Sequence, residues 1–394
     1  MPSFSYTTPV YTGRNRVSLI RGGTPYFTTL CDMIDQAKIS LHLQTYIYDS
    51  DETGNLIGDH LCMAAKRGVK VYVLLDGYAS QNLSEAFKTK LKNSGVKLRL
   101  FQPILKAKSF YFGRRLHHKV VVADGSRALV GGINISNRYN DLPGQPAWLD
   151  WAVEVFGESA EQLDRLCVGF WNRSVFPSVR KAFFTPLRRE TIPETKCLVR
   201  VRRNDWVNRK VEISRSYLEM MKRAEKEIII LCSYFLPGSM IRNALSKAVR
   251  KGLKITVIIA SDSDVSLTKA AEKYWYPWLL RHNIKIYEYL PGVLHGKLAV
   301  FDSKWITIGS YNINNISAYA SVELNLDIQN DEFGKKTVDV LEEIIEKDCV
   351  EITPDRFKRT SNLIMRGWYW MSYEIYRLIL FLFTFYFRQR KRER

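Results

Sequence analysis

Residues 295–302 read HGKLAVFD, and an earlier copy of this stretch reads HHKVVVAD at residues 117–124. Both copies follow the pattern His-x-Lys-x4-Asp-x6-Gly-x2-Asn, which ends at Asn134 in the first copy and at Asn312 in the second. Two matches of this length with identical spacing indicate an internal duplication. The alternative is that each copy is only a buried apolar strand followed by a turn, with its His and Lys at the solvent end.

The residue types of the pattern suit the transfer of a phosphoryl group. An imidazole acts as nucleophile or proton donor near neutral pH, and two of them, His117 and His295, allow both tasks within one step. Lys119 and Lys297 follow two positions later, so each faces the same side of an extended strand as its histidine. Ammonium groups and the amides of the motif asparagines are suitable donors to phosphodiester oxygens. We therefore predict one phosphate site that does not need a metal.

Composition limits the classes of protein to which the chain can belong. Its 394 residues are enough for two domains, and a hydrophobic share of 46% supports folded cores. The 59 Lys and Arg exceed the 40 Asp and Glu, which predicts a polyanionic partner, either nucleic acid or an anionic lipid surface. Six cysteines, scattered singly, indicate core residues of a reducing compartment. The polar N-terminus predicts no signal peptide and a cytoplasmic body.

Strand, helix and strand follow one another in both halves. The apolar patterns predict a helix over residues 25–36, strands over 39–43 and 69–75 with a helix over 57–66 between them, and strands over 227–234 and 253–259 with a helix over 240–250 between them. Gly68 and Gly252 end the intervening helices. We therefore predict the α/β class, with two duplicated domains that each contain a mixed sheet flanked by helices.

A charged segment at residues 186–208, which contains Pro193, is the predicted linker between the halves. The first domain is predicted over residues 1–190 and the second over residues 191–357. Each carries one copy of the motif. Residues 358–394 form a separate C-terminal segment.

Acidic residues follow each motif and are candidates to orient its histidines. Asp150 and Glu323 occupy matching places, and a carboxylate on the second imidazole nitrogen would fix the tautomer and the ring angle. The alternative for both is a solvated acid at a strand end. The motif aspartates Asp124 and Asp302 follow an apolar strand and precede a turn, which favours a role in capping that turn. The histidines outside this set are expected to be structural: His42, His60, His118 and His282.

The C-terminal segment has an unusual composition. Residues 378–387 contain only Leu, Ile, Phe, Tyr and one Thr, the aromatic residues 368–370 precede them, and the basic residues 388–394 follow. A spanning helix needs ~20 apolar residues, and charged residues interrupt any longer run here. We predict a helix that lies in the membrane interface with its arginines on anionic phosphates. The alternative is a helix packed on the core with a solvated basic end.

With these motifs the chain resembles the phospholipase D superfamily, whose two motif copies meet in one shared active site at the domain interface. The resemblance spans about residues 14–357 and is closest to bacterial cardiolipin synthases. The residues that carry it are Tyr46 to Tyr48, Arg67 to Val69 with Asp76 and Gly77, residues 233–238 (SYFLPG), Trp148, Asp150 and Trp305. Gly132 stands where the second copy has Ser310, a departure from the superfamily pattern that cardiolipin synthases share. This difference suggests that the halves contribute unequally.

The resemblance implies transfer of a phosphatidyl group from one phosphatidylglycerol to the hydroxyl of a second, which gives cardiolipin and glycerol without a metal or other cofactor. By analogy His117 forms a phosphohistidine, and His295 protonates the departing glycerol and deprotonates the incoming hydroxyl. The motif residues implied to be catalytic are His117, Lys119, Asp124, His295, Lys297 and Asp302. The residues implied to bind or orient substrate are Asn134, Asn312, Ser310, Asp150 and Glu323.

The resemblance further implies a short synthase without N-terminal transmembrane helices, which contacts anionic phospholipid at the cytoplasmic face of the membrane and does not bind nucleic acid. A phospholipase D-type hydrolase, a nuclease of the same superfamily and a membrane-binding scaffold remain as alternatives. The sequence leaves three acceptors open, namely phosphatidylglycerol, phosphatidylethanolamine and water. It also leaves the oligomeric state open.

Overall fold

The computed structural model describes residues 10–103, 114–173, 182–186, 196–263, 265–319 and 321–390. The strands described in the first half are β1 (Thr12–Arg21), β2 (Ser40–Thr45), β3 (Lys70–Asp76), β4 (Lys97–Phe101), β5 (Arg115–Leu116), β6 (Val120–Ala123), β7 (Arg127–Gly131) and β8 (Trp151–Gly157). Its helices are α1 (Thr24–Gln36), α2 (Glu52–Lys66), α3 (Glu85–Asn93) and α4 (Glu158–Asn172), with a 3-10 turn at Asn137–Tyr139.

The second half repeats this order of elements and extends it. Its strands are β9 (Lys196–Asp205), β10 (Lys210–Val211), β11 (Glu227–Cys232), β12 (Lys254–Ala260), β13 (Lys285–Tyr289), β14 (Lys297–Phe301), β15 (Trp305–Gly309), β16 (Ser321–Gln329) and β17 (Cys349–Glu351). Its helices are α5 (Glu212–Arg223), α6 (Ser239–Arg250), α7 (Ser266–Lys273), α8 (Tyr276–Arg281), α9 (Asn315–Tyr319), α10 (Asp331–Asp348), α11 (Pro354–Thr360) and α12 (Leu363–Arg390).

Each half contains a mixed sheet, and the two sheets have matching strand orders. The first runs β1-β8-β7-β6-β2-β3-β4. The second runs β9-β16-β15-β14-β11-β12-β13-β17. Only β2-β3-β4 and β11-β12-β13 are parallel within these two orders, because a helix connects each successive pair there. The antiparallel pair β1 and β9 joins the sheets at their edges. The predicted α/β class and the duplicated mixed sheets are confirmed.

The largest apolar cores lie between the sheets and under the helices of each half. Strand β6 shows how side chains divide between them. Val120 and Val122 belong to a core that also contains Leu298 and Val300 of β14. Val121 packs instead against the helices of its own half. Since strand side chains alternate between two faces, both sheets contribute one face to a shared central core.

Two boundaries differ from the prediction. Helix α2 begins at Glu52 instead of residue 57, because the side chain of Asp51 accepts a hydrogen bond from the backbone of Gly54 and caps the helix earlier. Strand β9 lies within the predicted linker and forms an edge of the second sheet, where its charged side chains meet partners such as Asp327. Residues 187–195 of that linker, with Pro193, lie outside the described residues. Gly68 and Gly252 have φ values of 94° and 88° beyond the ends of their helices, as the glycine signals predict.

The motif aspartates fix the starts of the central strands. Asp124 accepts hydrogen bonds from the backbone N–H groups of residues 38–40, at 2.7–3.0 Å, just before and at the start of β2. Asp302 does the same for residues 225–227, at 2.8–3.0 Å. Both lie beyond the ends of their strands that are remote from the motif histidines. The assignment of these two residues as catalytic is therefore corrected to a structural one.

Helix α12 follows the second sheet and packs on α7 and α9. Tyr369, Ser372 and Tyr376 are buried at this contact, and Tyr373 stacks on Tyr274 with ring centroids 4.7 Å apart. Among the described residues, no helix combines the length and the apolar character needed to cross a bilayer. Residues 391–394 of the predicted basic end lie outside the described residues.

Candidate active site

Backbone contacts between the halves bring the two motifs together. The N–H of His117 donates to the carbonyl of Val322 at 2.9 Å, and β5, just before His117, pairs with β16. The N–H of His295 donates to the carbonyl of Leu149 at 2.7 Å, and Leu149 bridges Leu294 in the same parallel sense. Because Val322 and Leu149 directly precede the predicted carboxylates, each pairing carries an acid of one half to the histidine of the other.

The side chains complete these contacts as two imidazole–carboxylate pairs. His117 Nδ1 lies 2.8 Å from Glu323 Oε2, and His295 Nδ1 lies 2.6 Å from Asp150 Oδ2. Both acids are fully buried. A carboxylate that accepts from Nδ1–H leaves Nε2 as the nitrogen available for chemistry. The structure thus places one oriented imidazole from each half in a common site.

The difference between Gly132 and Ser310 has a steric origin. A Cβ atom on Gly132 would lie 2.5 Å from both carboxylate oxygens of Asp150, so a side chain at this position would collide with the acid. In the second half the hydroxyl of Ser310 makes a short hydrogen bond to Glu323 and accepts from the N–H of Leu324 at 3.0 Å. The two carboxylates are therefore held in different ways.

Both motif lysines are buried beside their histidines. Lys119 Nζ donates to the carbonyl of His117 at 3.0 Å, and Lys297 Nζ makes a short hydrogen bond to the carbonyl of His295. Burial lowers the pKa of Lys119 to about 7, against the opposing attraction of Glu323. Burial also lowers the pKa of His117, so its imidazole is neutral at neutral pH. An entering phosphate would favour the charged form of Lys119.

Burial affects the acid of the second pair as well. It raises the pKa of Asp150 to about 7, with Lys297 opposing the shift.

The motif asparagines both make hydrogen bonds within the protein, Asn134 through its side chain and Asn312 through its backbone. Asn134 accepts from the N–H of Ile47 at 3.1 Å through Oδ1, and its Nδ2 donates to the hydroxyl of Tyr139 at 2.8 Å. The backbone N–H of Asn312 donates to Ser317 Oγ at 3.3 Å. Asn134 therefore holds the loop after β2. The role of both asparagines as direct donors to phosphate stays a prediction.

Aromatic rings line both imidazoles. The ring of Tyr46 stands edge-on to His117, with centroids 4.9 Å apart. Tyr139 stands edge-on to His295 at 5.1 Å, and Trp148 lies 6.0 Å from the same imidazole. The family resemblance points to Tyr46 and Trp148, whereas sequence reasoning misses Tyr139. The signal that could have found it is its place five residues after Asn134, where the second half has Ser317.

The other histidines have partners outside this site. The pairs are His118 with Gln44, His42 stacked on Tyr72, His60 with Asp35, and His282 with the carbonyl of Trp278. Within the described part of the chain, no group of three or more His, Cys, Asp or Glu side chains could hold a metal ion.

The low pKa of Lys119 predicts a pH-dependent affinity for anions. Sulfate keeps its charge across this range, so its binding should weaken as the pH rises through about 7 and Lys119 loses its proton, by up to about tenfold for each further pH unit. In Lys119→Arg the guanidinium stays charged, so the affinity for sulfate should fall less as the pH rises. Calorimetric titration with sulfate at a series of pH values measures this.

Lys336→Arg is the matched control, because Lys336 is an exposed lysine paired with Glu332 on α10. It should reproduce the native pH dependence. An identical pH dependence in Lys119→Arg would show that Lys119 does not contact the bound anion.

Known proteins resemble this chain in sequence and in architecture. A family profile described as cardiolipin synthase, PLD-like domain, matches residues 30–166 and 217–348. Cardiolipin synthase B of Salmonella typhimurium is 33% identical over 342 residues, which cover 86% of this chain and 82% of that protein. Cardiolipin synthase 1 of Bacillus anthracis is 28% identical over 361 residues, covering 88% and 70%. The phosphatidylserine synthase of Haemophilus influenzae Rd KW20 has the same fold, with a TM-score of 0.74, 14% identity and coverage of 96% and 97%.

The two profile matches coincide with the duplication seen in the site. The first contains His117 with Asp150, and the second contains His295 with Glu323. Each match therefore supplies one imidazole and the carboxylate that orients the imidazole of the other. The chain belongs to the cardiolipin synthase family of phospholipase D-like proteins.

Proposed function

We propose that this protein transfers a phosphatidyl group from one phosphatidylglycerol to a second, forming cardiolipin and releasing glycerol. The observation that carries the proposal is the pair of imidazoles from the two halves, each oriented by a buried carboxylate. The identity to cardiolipin synthases over most of the chain supports the substrate class. One imidazole can then form a bond to phosphorus while the other moves the proton.

In the first step His117 Nε2 attacks phosphorus. A phosphorus–nitrogen bond forms, the bond to the glycerol oxygen breaks, and His295 gives its proton to that oxygen. In the second step His295 takes the proton of the acceptor hydroxyl, whose oxygen attacks phosphorus and releases His117. The assignment is supported by the greater exposure of the His117 side chain, 17% against 8% for His295, and by its lowered pKa. Lys119 and Lys297 counter the charge on the phosphoryl oxygens.

Replacing either histidine tests whether both act in the reaction, one as the nucleophile and the other as the acid and base. His117→Ala and His295→Ala should each lower phosphatidyl transfer by at least about 10³-fold, and the double variant should be little worse, because both groups act in one step. Mass spectrometry of lipids formed from labelled phosphatidylglycerol measures the loss and also distinguishes cardiolipin from phosphatidic acid, the product of hydrolysis. His60→Ala, which removes a histidine bonded to Asp35 on the surface, should be unaffected.

Trapping of labelled phosphoenzyme then separates the two roles. Label should be absent from His117→Ala and present in His295→Ala. Label that persists in His117→Ala and is missing from His295→Ala would reverse the assignment. Cleavage of a nucleic acid without any lipid product would replace the proposal with a nuclease activity.

We also propose that α12 brings the protein to the cytoplasmic face of the membrane. The face of this helix that does not pack on α7 carries exposed apolar side chains at alternating intervals of four and three residues: Ile364, Trp368, Met371, Ile375, Leu378 and Leu382. This spacing aligns them along one side of a helix. The sequence beyond them is strongly basic, which favours an anionic lipid surface as the partner.

Helix α12 has one face that packs on the second half and one face that is exposed, so it combines features of the core-packed and the interfacial alternatives. Tyr369 and Tyr376 pack on the second half while Leu378 is 57% and Leu382 62% exposed. A truncation after Phe357 would therefore remove core residues together with the exposed face. Point substitutions on the exposed face separate membrane binding from stability.

Co-sedimentation with phosphatidylglycerol vesicles should fall by at least about tenfold in a variant that combines Met371→Ser, Leu378→Ser and Leu382→Ser. The reason is that each apolar side chain buried in the membrane contributes roughly 1.5–3 kcal/mol to binding. Raising the salt concentration should weaken binding of the unaltered protein further. Activity on detergent-dispersed lipid should be retained. The matched control is Leu56→Ser with Met63→Ser, which removes two exposed apolar side chains of α2. Equal sedimentation of the α12 variant and the control would mean that the membrane contact lies elsewhere.

A further inference from the structure

The carboxylate of Asp76 lies at the end of β3 and reaches the backbone directly before His117. Its Oδ2 accepts a hydrogen bond from the N–H of Leu116 at 2.8 Å. The side chains of Asp76 and Leu116 are both fully buried. Asp76 belongs to neither imidazole–carboxylate pair, so its contact with the motif strand has another purpose.

The short strand β5 needs an acceptor at this place. The N–H groups of consecutive strand residues point to opposite edges of the strand. The N–H of His117 points to β16 and donates to Val322, whereas the N–H of Leu116 points to the other edge. Within the described residues, β16 is the one strand with which β5 pairs. Because a buried N–H without an acceptor is costly, Asp76 supplies the acceptor that a second neighbouring strand would provide.

The other carboxylate oxygen fixes Asp76 itself. Oδ1 accepts from the N–H groups of residues 78 and 79, at 2.9 and 3.1 Å, in the turn after β3. In the same turn the hydroxyl of Ser80 donates to the carbonyl of Tyr46 at 2.9 Å, and the ring of Tyr46 stands against the imidazole of His117. The acid therefore connects two segments that flank this imidazole.

Arg115 balances the buried charge of Asp76. Its Nη1 lies 3.6 Å from Asp76 Oδ1 and donates to the carbonyl of Gln102 at 3.1 Å. Burial raises the pKa of Asp76, and Arg115 together with the three backbone donors opposes that shift. The ionised carboxylate is the form that these donors stabilise.

The second half has an alanine in the place of this acid. Asp76 pairs with Phe101 at the end of β3, and Ala260 pairs with Tyr289 at the equivalent end of β12. The methyl group of Ala260 cannot accept a hydrogen bond. A carboxylate at this position therefore belongs to the His117 side alone.

We propose that Asp76 is a positioning residue for the nucleophile His117. By binding the N–H of Leu116, its carboxylate fixes β5 from the first half, while Val322 fixes it from the second. The imidazole is thereby held at the depth and angle from which Nε2 can approach phosphorus. This inference rests on the proposed phosphatidyl transfer, in which His117 is the nucleophile.

Asp76→Asn removes the bond to β5 and retains the turn. Its Oδ1 can still accept from residues 78 and 79, as asparagine does in such turns, but its Nδ2 cannot accept from Leu116. In protein labelled with ¹⁵N at histidine, the ring signals of His117 should shift and those of His295 should keep their positions. His117→Ala and His295→Ala assign the two sets of signals. A role of Asp76 in stability alone would not move one imidazole and spare the other.

Single-turnover kinetics give a second readout. The maximal rate of phosphoenzyme formation from labelled phosphatidylglycerol should fall at least about tenfold in Asp76→Asn, because a small displacement of a nucleophile is costly in rate. The lipid concentration that gives half of this rate should stay within about twofold, because the buried Asp76 does not contact the lipid.

Asp141→Asn is the matched control. The two oxygens of Asp141 also accept backbone N–H groups of separate segments, from Thr24 at 2.9 Å and from Ala147 at 3.0 Å. The substitution therefore removes a comparable bond that does not reach β5. It should leave the signals of His117 and the rate of phosphoenzyme formation unchanged.

If Asp76→Asn does not fold, replacement of Leu116 by the corresponding α-hydroxy acid removes only its N–H and should give the same two changes. Shifted signals of His117 alone, together with a lower maximal rate, support the inference. Unchanged signals of His117, equal shifts at both histidines, an unchanged maximal rate, or the same loss of rate in Asp141→Asn would overturn it. Absence of phosphatidyl transfer in the unaltered protein would instead contradict the proposed function, and the NMR comparison would still test the position of His117.

Discussion

Two backbone hydrogen bonds between the halves determine the geometry of the candidate active site. The N–H of His117 donates to Val322 and the N–H of His295 donates to Leu149, at 2.9 and 2.7 Å. Each bond fixes a motif histidine to the residue before a buried acid of the other half. Without this pairing each imidazole would lack its carboxylate, because neither half contains both members of an imidazole–carboxylate pair. The shared core between the two sheets holds the halves in the register that these bonds require.

The duplication produces similar halves, and a few side chains make them chemically different. Glu323 is held by Ser310, whereas Asp150 occupies the space that a side chain on Gly132 would need. Asp76 binds the residue before His117, and Ala260 stands in its place in the second half. A two-step transfer needs a nucleophile and a proton carrier, so these differences allow two similar imidazoles to perform different tasks.

Local patterns predicted the sheets and the motif histidines well, because strand and helix periodicity and the two stop glycines are local signals. The acids Asp150 and Glu323 were found through their similar places after the two motifs, 33 and 28 residues beyond the respective histidines. Their crossed pairing was not predicted, because Glu323 meets a histidine 206 residues away and no periodicity encodes that contact. The resemblance implies a catalytic role for Asp124 and Asp302 because they belong to the motif, although their side chains accept hydrogen bonds from backbone amides. The contact of Tyr139 with His295 was not predicted either, because it joins residues of the two halves. The two faces of α12 could be separated only once its packing on α7 was known.

The central claim is that each acid serves the histidine of the other half, and rapid-quench kinetics of Glu323→Gln and Asp150→Asn tests it directly. With a phosphatidyl ester of p-nitrophenol, whose phenolate departs without help from a general acid, formation of the phosphoenzyme needs only the nucleophile, and its breakdown needs the base. The account predicts that Glu323→Gln slows formation, because His117 loses its orienting carboxylate, and that Asp150→Asn leaves formation intact and slows breakdown. If the trapped label is absent from His117→Ala, so that His117 is the nucleophile, the reverse pattern, with Asp150→Asn slowing formation and Glu323→Gln slowing breakdown, would contradict the crossed pairing of acids and histidines.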